Sequence, residues 1–384
     1  MPRLVIAFLR SGGLALCLGC FISIVCQAES LATGKTKQNP AVEEVTFRDG
    51  DVKPAKRRTV VGEVMIEAQD GGIMLLADDG HLWTLQPEQI QKRSPVDVPL
   101  KVASPAEVEA RLLKELGAEF KNGGFAVHQT QHYLIAYNSS EEYAKRVGGL
   151  FESLYRAFFT YWKNQRWELS EPRFPMVAVV LKDHKAFLTY GRSEIGDAAS
   201  NMIGYYNLAS NRMATFNVPN WERNVSTIIH EATHQLAFNC GLQQRFADNP
   251  MWVSEGLATF FESPDMRNPG KWRGVGRVNR TNLGRWRRYQ QNRPADSLAT
   301  LLSADTRYRD PKTASNAYGE GWALTYFLLK TKRKEYIAYL RKLSEGKPLA
   351  VQSPRQRIKD FETAMGDELP VIEQKFSKFM MRVR

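Results

Sequence analysis

The sequence predicts an α+β protein in three parts: a small all-β module, a larger domain in which a mixed sheet carries helices, and a helical C-terminal lobe. Three observations point there. Short runs rich in β-branched and aromatic residues, broken by Asp-Gly turns, fill residues 59–100. From 101 to 294, strand-like runs alternate with segments of helical periodicity, and beyond 295 the apolar spacing is helical throughout. The chain has 384 residues, 43% hydrophobic and 24% charged, an ordinary globular composition long enough for more than one core.

In chain order, residues 1–28 read as a secretory signal. Arg3 and Arg10 precede an apolar run at 14–25, and Cys26-Gln27-Ala28 is a small-residue ending suited to signal peptidase. The run is short for a membrane span, so an uncleaved anchor is the lesser alternative. The expected location is therefore the periplasm, the cell envelope or the medium. Removal of the signal takes Cys17, Cys20 and Cys26 with it and leaves Cys240, which forms no internal disulfide and reads as a packing residue.

Residues 29–58 are polar and basic and read as a flexible linker. Residues 60–67 (VVGEVMIE), 72–77 (GIMLLA) and 81–85 (HLWTL) are three strands divided by Asp70-Gly71-Gly72 and Asp79-Gly80. This module reads as a cap or spacer, with ligand binding as the alternative. The larger domain opens with a helix at 105–116. A strand pair follows at 125–130 and 133–137, with His128 and His132 as ordinary strand residues. A long amphipathic helix over 141–162 carries Val147, Leu150, Leu154 and Phe158 on one stripe. Residues 176–181 (MVAVVL) are a buried strand, with His184 in the loop after it. Residues 204–209 and 213–218 make a hairpin turning at Ser210-Asn211, and 214–217 is assigned as a free edge that pairs with an extended peptide. The lobe has helices at 298–303, 317–329, 333–344, 358–365 and 369–380.

The chemistry lies in residues 227–237, TIIHEATHQLA, and 252–258, WVSEGLA. At about 100° per residue, Val225, Ile228, Ile229, Ala232 and Leu236 form one apolar stripe, and His230 and His234 fall on the other side. Asn220 caps this helix and Gly241 ends it. Histidines four apart on a helix reach one metal ion, while Glu231 between them leans over a metal-bound water. A second helix, capped by Asn249 with Pro250 in its first position, presents Glu255, Thr259 and Glu262 on one face. Glu255 completes three protein ligands with His230 and His234 and leaves a fourth tetrahedral position open, as a catalytic zinc requires.

The H-E-A-T-H run followed by W-V-S-E-G-L-A resembles the gluzincin type of zinc metallopeptidase, and more closely the bacterial families with a peptidase-MA-like domain. The likeness runs from about residue 125 to the C-terminus and is specific over 204–329. It implies a zincin-like domain with one Zn²⁺ per chain held by His230, His234 and Glu255, and Glu231 as general base. It also implies a tyrosine some sixty residues beyond the glutamate ligand that stabilises the oxyanion. Tyr318, in NAYGEGWALTYFLL at 316–329, takes that place, with Tyr326 as the competitor. Several gluzincins carry an acidic residue where Thr259 stands, so either Thr259 or Glu262 orients a ligand histidine, or the site is weaker than in the well-known members.

The implied partner is a peptide or protein substrate, with the chain acting as a monomer. Nine cations, from Arg267 to Arg293, occur with no acid between Asp265 and Asp296, against a net charge of +12 for the whole chain. This segment favours acidic substrates or an anionic envelope surface. Interleaved Trp272 and Trp286 would suit nucleic acid, but an exported protein is not expected to bind it. The competing class is a catalytically inactive metallopeptidase-like protein that binds or supports structure in the envelope.

Overall fold

The computed structural model describes residues 5–9, 40–50, 56–121, 123–263, 272 and 274–384. The chain is mixed α+β, with an N-terminal all-β region and a helical C-terminal part.

The β module is five-stranded: β2 (Val42–Asp49), β3 (Lys56–Glu67), β4 (Ile73–Ala77), β5 (Leu82–Leu85) and β6 (Ile90–Pro95), in the order β5-β4-β3-β2-β6 and antiparallel throughout. The linker expected over 29–58 is thus corrected. Its 42–49 stretch is a central strand in which Val45 and Phe47 are fully buried. Those two residues alternate with polar ones, and pairing with both β3 and β6 satisfies the backbone. Val45, Phe47, Ile73, Leu75 and Leu85 form the module's own core. It docks on the body through polar clasps: Arg173 grips Glu63 with two 2.7 Å bonds, Arg111 grips Asp78 at 2.7 and 2.8 Å, and the Leu82 amide donates to the Ala209 carbonyl at 2.8 Å.

The body is built on a six-stranded sheet. Its strands are β1 (Val5–Leu9), β7 (Ala126–Gln129), β8 (Tyr133–Tyr137), β9 (Met176–Leu181), β10 (Met202–Asn207) and β11 (Arg212–Phe216), ordered β1-β10-β11-β9-β8-β7. β9 runs parallel to both β8 and β11, and the other pairs are antiparallel. Both faces are covered. Tyr133, Ile135, Met176, Ala178 and Val180 face α2 (Glu141–Asn164) and α4 (Trp221–Asn239), while Leu134, Ala136, Val177, Val179 and Leu181 face α1 (Pro105–Glu119) and α3 (His184–Ile195). Double burial explains the unbroken apolar run of β9.

Three expectations change here. β11 lies between β10 and β9, so residues 214–217 are an internal strand and not a free edge. The strand beyond it, nearer the end of the sheet, is β10. Within residues 1–28, read as a secretory signal, Val5–Leu9 form β1, whose backbone pairs antiparallel with β10 in the register Ile6↔Tyr206 and Phe8↔Gly204. An uncovered strand edge is a template for such addition. The rest of the signal-peptide reading lies outside the described residues. His184 begins α3, a helix capped by Asp183, whose side chain accepts from the Ala186 amide at 2.8 Å.

α4 packs beneath β10 and β11, pinned by Gln235, which donates to the carbonyls of Val177 at 3.0 Å and Asn211 at 2.9 Å. Asn220 caps it as expected, and Gly241 ends it at a φ of +81° that suits glycine. α5 (Met251–Phe261) lies against α4, and its cap is Pro250 rather than Asn249, whose side chain donates instead to the Gln244 and Ala247 carbonyls. The C-terminal helices are α6 (Arg280–Gln290), α7 (Ser297–Ser303), α8 (Thr306–Arg309), α9 (Ala314–Thr331), α10 (Arg333–Ser344), α11 (Pro354–Met365) and α12 (Leu369–Met380).

α9 packs closely along α5. At Gly256 a Cβ would sit 2.1 Å from Thr325 Oγ1 and 3.1 Å from the Gly321 carbonyl oxygen. Gly256→Ala is therefore expected to force α5 and α9 apart and destabilise the protein by about 1–3 kcal/mol. Denaturant unfolding checks this, and an unchanged midpoint would show that the contact gives way freely.

Candidate metal centre

The site is made by one turn of α4 and one of α5. His230 and His234 stand four apart on α4 and are 0% and 1% exposed, so their rings project together into a closed space. Glu255 enters from α5, also buried. His230 Nε2 lies 3.2 Å from His234 Nε2 and 3.1 Å from Glu255 Oε2, and His234 Nε2 lies 3.8 Å from the same oxygen. Three donor atoms thus converge within 4.8 Å of one another, a group that could hold a metal ion. Ligands about 2.0–2.1 Å from a tetrahedral zinc stand about 3.3 Å apart, close to these separations.

His230 Nδ1 is held by Glu262 Oε2 at 2.6 Å. Glu262 Oε1 accepts in turn from Asn279 Nδ2 at 2.6 Å, and that amide also donates to the Thr259 carbonyl at 3.2 Å. This decides between Thr259 and Glu262 as the residue that orients a histidine. Thr259 is occupied by its own helix, its hydroxyl donating to the Glu255 carbonyl at 2.7 Å. Asn279 is a member of the site that sequence reasoning does not find. It caps α6 through its side-chain oxygen, which accepts from the Asn282 amide, and the cap position is its only sequence signal.

The electrostatics follow from burial and pairing. Burial lowers the pKa of His230, but its bonds to Glu255 and Glu262 prevail and raise it to about 10. For Glu255, burial works upward and the two histidines prevail, lowering it to about 2. His234 is lowered, chiefly by burial. Glu231 is fully buried, and neither oxygen has hydrogen-bond geometry to a partner among the described residues. Burial pushes its pKa up to about 8, with His230 and the nearby Tyr206 main chain favouring the charged form.

A family model described as "Protein of unknown function (DUF1570)" matches residues 224–350. The match begins within α4 and ends beyond α10, so it takes in His230, Glu231, His234, Glu255 and Tyr318. No curated protein matches the sequence.

Tyr318 sits on α9 and is 6% exposed, its ring edge-on to that of Tyr308 at 5.1 Å. Tyr308 is buried against α9, with Glu255 close enough to raise its pKa further after burial itself. Tyr326 stacks on Trp322 of the same helix and packs on Phe260 and Phe379, as a core residue would. Cys240 is 1% exposed, and burial pushes its thiol up to about 12, consistent with packing. In the basic segment, Trp272 and Trp286 are buried, and Arg293 pairs with Glu320 and Glu373. Those tryptophans are core rather than a stacking surface. Among the described residues, no helix is long and apolar enough to cross a membrane.

Proposed function

We propose that the protein is a zinc-dependent peptidase of the gluzincin type, with His230, His234 and Glu255 as ligands and Glu231 as general base. The observation that carries this reading is the three convergent donors beside the fully buried carboxylate of Glu231, which no side chain among the described residues engages in hydrogen-bond geometry. Bound zinc would supply Lewis acidity, polarising a carbonyl and bringing the pKa of a water towards about 7. Glu231 takes the proton of the attacking water and delivers it to the leaving amine. Glu262 holds the His230 ring by Nδ1 so that Nε2 faces inward, and Asn279 holds Glu262. Once residues 1–28 have left as a signal, the β10 edge that Val5–Leu9 covers is open to an extended substrate, since β11 is internal.

Cleavage of an unstructured protein, lost with chelator and regained with zinc, is the expected result. Metal-loaded protein that cleaves nothing would favour the inactive binding protein instead. Tyr318 is assigned to the oxyanion. Tyr318→Phe should lower turnover by about 10²-fold with zinc content unchanged, whereas an unaltered rate would remove it from the site.

A further inference from the structure

A cavity of about 120 Å³ lies where the β module meets the body, near the C-terminal end of the helix that carries the metal-ligand histidines. Its walls are mainly apolar, Met65, Met74, Leu76 and Leu82 from the module and Phe174 and Phe238 from the body, with Asn239 and Gln244 as neutral polar members. Two arginines also line it, and they differ. Arg173 is committed to Glu63 through both terminal nitrogens at 2.7 Å. Arg245 is 8% exposed, and its Nη1 donates to the carbonyls of Gly80 at 2.8 Å and Leu208 at 3.2 Å. Among the described residues, no carboxylate stands within ion-pair distance of it.

A guanidinium offers five N–H donors, and the bonds from Nη1 leave those of Nη2 and Nε. Burial pulls the pKa of Arg245 below the usual arginine value, with Tyr206 and Asp79 offsetting part of the effect. Buried charges are ordinarily paired. Here the cation instead lines a mainly apolar chamber, and its planar fork is shaped for two parallel bonds to a carboxylate. A dry apolar cavity of about 150 Å³ takes benzene, so this one suits a tail of about that size.

We propose that this cavity binds a small monocarboxylate, its carboxylate on Arg245 and its apolar tail among Met65, Met74, Leu76, Leu82, Phe174 and Phe238. The carboxylate belongs either to a free acid or to the last residue of a peptide. This site does not depend on the metal centre, and its test does not use peptidase activity.

Calorimetric titration of the purified protein with hexanoate, benzoate and acetyl-leucine, each beside its amide, tests it. The acids are expected to bind at least about 10-fold more tightly than the amides. Binding of hexanoate or benzoate would identify a free acid, and binding of acetyl-leucine alone a peptide terminus. Arg245→Met should erase the preference for acid over amide. Because Arg245 also holds two carbonyls, Met65→Trp is the second variant: it fills the chamber from the half-buried rim and should abolish binding while thermal unfolding stays cooperative. No binding by any acid, equal binding of acid and amide, or undiminished binding by a folded Met65→Trp variant would overturn the proposal.

Discussion

Glu231→Gln is expected to reduce kcat/KM on an unstructured peptide substrate by about 10²–10⁴-fold while leaving metal content unchanged. The carboxylate is fully buried, and no side chain among the described residues engages either oxygen in hydrogen-bond geometry, so its replacement breaks no side-chain pairing and leaves only the nearby Tyr206 main chain to readjust. Glutamine has nearly the same shape and cannot accept a proton at this pH. The three donors on α4 and α5 keep their positions, because Glu231 is no part of the His230–Glu262 pairing. Metal analysis alongside a fluorogenic peptide assay separates the two effects. A rate within about threefold of the parent would take the base role away from Glu231.

Glu262→Gln is expected to weaken metal binding by about 10–100-fold. Its carboxylate accepts from His230 Nδ1 at 2.6 Å, which turns Nε2 of that ring towards Glu255 and His234. An amide makes a weaker bond, and its NH₂ group can turn towards the ring and favour the wrong tautomer. Titration against a competing chelator measures the change, and unaltered affinity would show that the ring is held by packing alone. The pH dependence has a definite sign. In the metal-free protein His230 keeps its proton up to about pH 10, so metal must displace it below that pH and apparent affinity should rise as pH rises.

Much of this site is legible in the sequence because it is local. The helical phase of His230 and His234, the opposing stripe of Val225, Ile228 and Leu236, and the cap at Asn220 all lie within one helix. The carboxylate of Glu255 is legible because α5 carries its own periodicity. What escapes depends on partners distant in sequence. β2 resembles a linker because only Val45 and Phe47 mark its buried face, and its strand state depends on pairing with β3 and β6. The order β10-β11-β9 makes β11 internal, and no feature of residues 214–217 reveals that. α3 is hidden because Thr189 and Gly191 dilute its helical signal; Gly191 is there because a Cβ would come within 2.7 Å of Ala199 Cβ. Asn279 serves the site from the start of α6, and a capping asparagine looks the same whether or not a glutamate lies above it.

Whether His230, His234 and Glu255 hold zinc is tested most directly by the metal content of the purified protein beside its His230→Ala variant. The parent is expected to hold about one zinc per chain, lost in a variant that still unfolds cooperatively. A folded parent that holds no zinc and takes none up when it is supplied would contradict it.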